Sequence, residues 1–117
     1  MGQLTTHVLD ISAGVPAAQI RIELHEQVGA EYVLRNSVVT GSDGRCAAPL
    51  LAGEQFVTGR YSLTFHTAEY FRGRGVALSE PAFIEQVLIR IGVADSQAHY
   101  HVPLLISPWS YSVYRGG

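Results

Sequence analysis

The sequence contains no lysine: all eight of its basic residues are arginine. It has a single cysteine, Cys46, so no intrachain disulfide framework can form, and a reducing compartment is expected. Charge of either sign is scarce, at 15% of residues with a net of −2. That leaves no electrostatic footprint for nucleic acid or an anionic membrane, and neither is expected as a partner. No apolar run approaches the length of a membrane span. The start, Met1 to His7, lacks the basic and apolar regions of a secretory leader. Gly2 and Thr6 fit the pattern for N-myristoylation, but no polybasic stretch follows, so the match reads as accidental. A soluble, cytoplasmic chain is expected. At 117 residues, 47% of them hydrophobic, it suits one domain spanning 1–117 and one core.

What the chain does have is a period of two. Apolar and polar residues alternate through Ile20-Arg21-Ile22-Glu23-Leu24-His25, and Tyr61, Leu63 and Phe65 alternate with Ser62, Thr64 and His66. Val87, Ile89, Ile91 and Val93 share one parity, with Arg90 on the other. Near the end, Tyr100, Val102, Leu104 and Ile106 oppose His99, His101, Pro103 and Leu105. Turn signals separate these runs: Ser12 to Pro16, Gly29-Ala30, and Ser42-Asp43-Gly44. One helical stretch is expected from Thr67 to about Gly73, with Thr67 as its cap and Glu69 in its first turn. The pattern describes an all-β, two-sheet sandwich of seven to eight strands with one short helix. The C-terminal run from Ser107 to Arg115 is aromatic and poor in charge, as subunit interfaces are, and oligomerisation is expected from it.

Chemistry is harder to read. His99 and His101 project to one face, as i and i+2 on a strand do, but a zinc site needs further ligands. With no H-E-x-x-H helix and no paired cysteines, no metal is expected. His25 and His66 read as surface or hydrogen-bonded strand histidines. There is no G-x-S-x-G elbow and no phosphate loop. Cys46 follows Arg45, whose charge could depress a thiol pKa, although a lone cysteine is more often a small buried residue. Composition and spacing stop at a β-sandwich of unassigned function.

Four segments add a resemblance. Leu4-Thr5-Thr6-His7-Val8-Leu9-Asp10 with Gly14-Val15-Pro16-Ala17 looks like the opening of the transthyretin-like family. Thr40-Gly41-Ser42-Asp43-Gly44-Arg45 resembles its turn ending in arginine, and His99 to Pro108 resembles its penultimate strand. Tyr111-Ser112-Val113-Tyr114-Arg115-Gly116-Gly117 is similar to the terminal signature of the enzyme branch, Y-S-T-Y-R-G-S. The segments stand in the family's order and cover essentially the whole chain. Transthyretins, the hormone carriers of the family, have lysine where this chain has His7 and lack the Y-R-G-S ending.

The resemblance therefore implies the 5-hydroxyisourate hydrolase branch of urate catabolism, which yields 2-oxo-4-hydroxy-4-carboxy-5-ureidoimidazoline without a cofactor. His7, Arg45 and His101 match the family's catalytic positions, and Tyr114, Arg115 and Gly116 match its terminal, substrate-binding motif. Either imidazole could take a proton from water near neutral pH, and the arginine fork suits a developing oxyanion. Which imidazole is the base stays open. The family assembles as a homotetramer, a dimer of dimers, with its sites in the channel between dimers. Two departures stand beside the expected pocket: Gly117 in place of serine, and Trp109-Ser110 in place of Tyr-Gly. The alternative is a transthyretin-like binding protein for an aromatic ligand, without hydrolase activity.

Overall fold

Strand alternation sorts side chains to two sides along most of the chain, and the computed structural model, which describes residues 1–117, stacks the apolar sides into one core. The strands are β1 (Gln3–Asp10), β2 (Val15–Pro16), β3 (Arg21–Val28), β4 (Glu31–Val39), β5 (Leu51–Ala52), β6 (Gly59–Phe65), β7 (Val87–Val93), β8 (His99–Ile106) and β9 (Tyr111–Val113). One helix, α1 (Thr67–Gly73), follows β6. Two of the nine strands are two-residue pieces, so the seven longer ones match the sequence expectation.

One sheet runs β2-β1-β8-β9, with β5 also on β1, and the other runs β4-β3-β6-β7. β1 and β8 are parallel, in register from Gln3 opposite His99 to Asp10 opposite Ile106, and every other pairing is antiparallel. Leu4, Val8, Val102, Leu104 and Ile106 of the first sheet meet Ile22, Leu24, Leu63, Phe65 and Val87 of the second, and all are buried. Each such side chain contributes about 1.5–3 kcal/mol relative to exposure. This burial fixes the opposite parity: Gln3, Thr5, His7 and Leu9 of β1, with His99, His101 and Leu105 of β8, face outward. Gly2 precedes β1 in a packed position, where an added Cβ would lie 2.2 Å from the Ala98 carbonyl. Packing therefore accounts for the glycine of the myristoylation-like pattern.

The helix forms over the expected range but is not capped as expected. His66 is its N-cap residue and no side chain caps it, while Thr67 Oγ1 is buried without a hydrogen-bond partner. Thr67, Ala68, Tyr70 and Phe71 turn to the core, and tertiary packing, not capping, secures these two turns. His66 is itself buried against Glu23 and near Arg21 and Gln86, a hydrogen-bonded histidine as the sequence suggested.

The helix is pinned to the end of β1 by Tyr70, whose hydroxyl donates to Asp10 Oδ2 at 2.9 Å. Burial pushes the Asp10 carboxyl up, but donors from Ser12, Tyr70 and the Ala13 and Ser12 amides outweigh it and hold the group below the usual carboxylate range. Tyr70 is pushed up to about 12, by burial first and then by Asp10. A depressed carboxyl contributes stability that is full above its unfolded value near 4 and is lost as pH falls through the lower folded value. Tyr70→Phe is expected to cost about 1.5–3 kcal/mol in urea unfolding at pH 7. The loss should shrink towards pH 2, where both proteins lose the carboxylate. A cost independent of pH would assign the tyrosine to packing alone.

Candidate active site

The outward face of the first sheet collects the polar groups. On one flank of β1 lies β8; on the other the chain from Gly44 to Ala52 runs antiparallel, with the Val8 amide donating to the Gly44 carbonyl at 2.9 Å and the Leu50 amide to Leu4 at 2.8 Å. Arg45 is thereby the cross-strand partner of His7. On the far flank of β8 the C-terminal strand continues its register to Gly116, whose amide donates to the His101 carbonyl at 2.8 Å. Across the face the order is Arg45, then Thr5 and His7, then His101, then Gly116. His7 and His101 are diagonal neighbours, about 8 Å apart at Cα by strand spacing.

Arg45 is presented by a tight turn. Gly41 donates to the Arg45 carbonyl at 2.8 Å, Gly44 donates to the Gly41 carbonyl at 3.0 Å, and Asp43 Oδ1 accepts from the Arg45 amide at 3.0 Å. Gly44 has φ +77°, which only glycine adopts freely. The Asp43 carbonyl accepts from His7 Nε2 at 2.9 Å. A carbonyl cannot donate, so in the neutral His7 ring the proton sits on Nε2 and the lone pair on Nδ1.

Beside these groups lies an open depression of about 530 Å³, lined among others by Gln3, Thr5, Arg45, Cys46, His99, His101 and Gly117. His7 is not among the residues lining it; its ring is tied to the 41–45 turn through the Asp43 carbonyl. His101 is half-buried, with Nδ1 2.8 Å from Thr5 Oγ1 and its ring edge against Gly116, where an added Cβ would lie 2.7 Å from Cδ2. Burial first, then the nearby Arg45 and His7, hold the His101 imidazole below the usual histidine range. His99 and His101 have no third ligating side chain clustered with them. Cys46 lines the depression, but burial and then Asp43 push its thiol up rather than down, so the activating effect of Arg45 is not realised.

The terminal motif is divided between two parts of the surface. Gly116 pairs with His101, whereas Arg115, on the opposite parity, stacks its guanidinium 4.1 Å over the Tyr100 ring. Tyr114 and Arg115 line a second, apolar depression of about 370 Å³ with Ile89, Ile91 and Val113, between the two sheet edges. Within one protomer neither lines the polar depression. Gly117 does, but Trp109 does not: it is 65% exposed and packs on Phe83 at 6.1 Å, so that departure lies away from the polar pocket. Sequence reasoning missed Thr5 and Gln3, although their shared parity with His7 was a signal for both.

Residues 4–116 match the model of the HIUase/Transthyretin family. The chain is 53% identical to the 5-hydroxyisourate hydrolase of Pseudomonas aeruginosa over 116 residues, covering 99% of this chain and 92% of that one. Among solved structures it is similar to the 5-hydroxyisourate hydrolase of Klebsiella pneumoniae, with a TM-score of 0.83, 32% identity and full coverage of both chains. It also superposes on an (S)-allantoin synthase with a TM-score of 0.93 and 44% identity, but spans only 44% of that longer chain.

Proposed function

Because the chain belongs to the HIUase/Transthyretin family, we propose that it is an enzyme of the hydrolase branch, opening the ring of 5-hydroxyisourate in urate breakdown. The observation that carries this reading is the meeting of Arg45, His7 and His101 on one outward face, beside a polar depression that accommodates a small planar heterocycle. A ligand carrier without turnover is not favoured, because histidine stands at position 7 where the carriers have lysine.

His7 is the general base: its Nδ1 lone pair takes a proton from water as the oxygen attacks the scissile carbonyl carbon. Arg45 holds the oxygen that gains negative charge in the tetrahedral intermediate. The carbon–nitrogen bond then breaks, and the His7 imidazolium returns its proton to the leaving nitrogen. His101 stays neutral and donates a hydrogen bond, a role that its half-buried place near the Arg45 guanidinium favours. Gly116 backs the His101 ring.

The assembly is a homotetramer, a dimer of dimers, which brings Tyr114 and Arg115 of neighbouring protomers to the sites. Its support is that β7 and β9 are unpaired sheet edges flanking an apolar depression, with Leu88 and Tyr114 exposed beside them. No helix is long and apolar enough to cross a membrane, and the free thiol of Cys46 fits a reducing cytoplasm. The test is the decay of 5-hydroxyisourate, freshly generated from urate by urate oxidase and followed by ultraviolet absorbance. Clear acceleration by the purified protein is expected; decay at the uncatalysed rate with a folded oligomer would overturn the reading.

A further inference from the structure

His101 sits in a more constrained setting than a base free to pick its proton. From β1 it faces Thr5 and His7, from the 41–46 segment Arg45 and Cys46, on its own strand His99, and at the chain's end Gly117, with Tyr114 and Arg115 beside it in the second depression. Of these, only Thr5 is hydrogen-bonded to its ring, Oγ1 to Nδ1 at 2.8 Å. The next residue, Thr6, shows the ordinary use of a strand hydroxyl, which donates to the Val102 carbonyl at 2.7 Å. Thr5 points the other way, onto the outward face, and Nδ1 is the one protein acceptor its hydroxyl reaches.

We propose that Thr5 is a positioning residue for His101: its hydroxyl donates to Nδ1 and so holds the proton of the neutral ring on Nε2. The two histidines then carry their protons on the same atom for opposite ends. At His7 the Asp43 carbonyl claims Nε2–H and leaves Nδ1 as a base. At His101 Thr5 claims the Nδ1 lone pair and leaves Nε2–H as a donor. A bond to the lone pair exists only in the neutral ring, so it opposes protonation, as do the neighbouring Arg45 and His7. A neutral imidazole that donates from Nε2 stabilises an oxyanion without surrendering its proton. The assignment rests on the hydrolase reading for its catalytic meaning, but the tautomer itself does not.

The test is a ¹H–¹⁵N titration of the imidazoles in the full chain, for wild type, Thr5→Val and Thr5→Ser, with kcat and KM measured alongside. The expected wild-type result is the Nε2–H tautomer at His101. Thr5→Val should raise the His101 pKa by about half to one unit and lower kcat about three- to tenfold with KM little changed. Thr5→Ser, which keeps the hydroxyl, should restore both. A wild-type Nδ1–H tautomer would overturn the proposal even if Thr5→Val failed to fold, as would a His101 pKa unchanged or lowered in that variant. A wild-type protein that leaves 5-hydroxyisourate decay unchanged sinks the hydrolase reading instead, and leaves the titration to decide the tautomer.

Discussion

Arg45→Met is expected to lower kcat for 5-hydroxyisourate by about 10²- to 10³-fold, the usual cost of removing a main oxyanion donor. The substitution keeps an unbranched apolar stem in place of the arginine's methylenes, and the Arg45 backbone bonds to Gly41 and Asp43 do not involve the guanidinium. Folding should therefore survive, and urea unfolding should shift by less than about 0.5 kcal/mol, as for surface changes generally. A second readout follows from charge. Arg45 is one of the groups holding His101 below the usual histidine range, after burial, so its removal should move the His101 titration upward. The acid side of the pH–rate profile should then begin its fall at higher pH. Arg45→Lys keeps the charge but loses the planar fork, and is expected to recover the titration more fully than the rate. A methionine variant with wild-type turnover would remove Arg45 from the mechanism.

The histidines illustrate how far the sequence could be read. Period-two alternation places His99 and His101 outward because Tyr100 and Val102 must be inward, and the same parity argument puts Thr5 beside His7. What alternation cannot supply is which strands lie side by side. The parallel pairing of β1 with β8, almost a whole chain apart, brings Thr5 to His101, and no local pattern encodes it. Arg45 was legible only through resemblance, since its place beside His7 depends on a ladder between β1 and an irregular segment. The same limit explains the misread cap: Thr67 has the right residue type at a helix start, but α1 begins at a buried corner where packing decides. It also explains Arg115, adjacent in sequence to a residue of the polar face yet turned by strand parity onto Tyr100.

The turn that carries Arg45 supplies a comparison within five residues. Gly44→Ala is expected to destabilise the protein by about 2–4 kcal/mol and to remove most of its activity, whereas Gly41→Ala should do neither. At Gly44 two costs add. The backbone has φ +77°, where an L side chain is strained, and an added Cβ would lie 2.3 Å from the Val8 carbonyl oxygen. That neighbour is backbone in the central part of β1, and the Val8 amide is itself bonded to the Gly44 carbonyl, so neither side can yield without breaking the other. Moving the turn shifts Arg45 and also the Asp43 carbonyl that fixes the His7 proton, so one methyl group disturbs two of the three proposed catalytic groups. At Gly41 the nearest atoms to an added Cβ are 3.6 and 3.7 Å away, ordinary contact distances. Thermal unfolding and turnover of the two variants, measured side by side, check this. Equal behaviour of the two alanine variants would mean that the turn is more plastic than its hydrogen bonds imply, and that Arg45 is held by something other than Gly44.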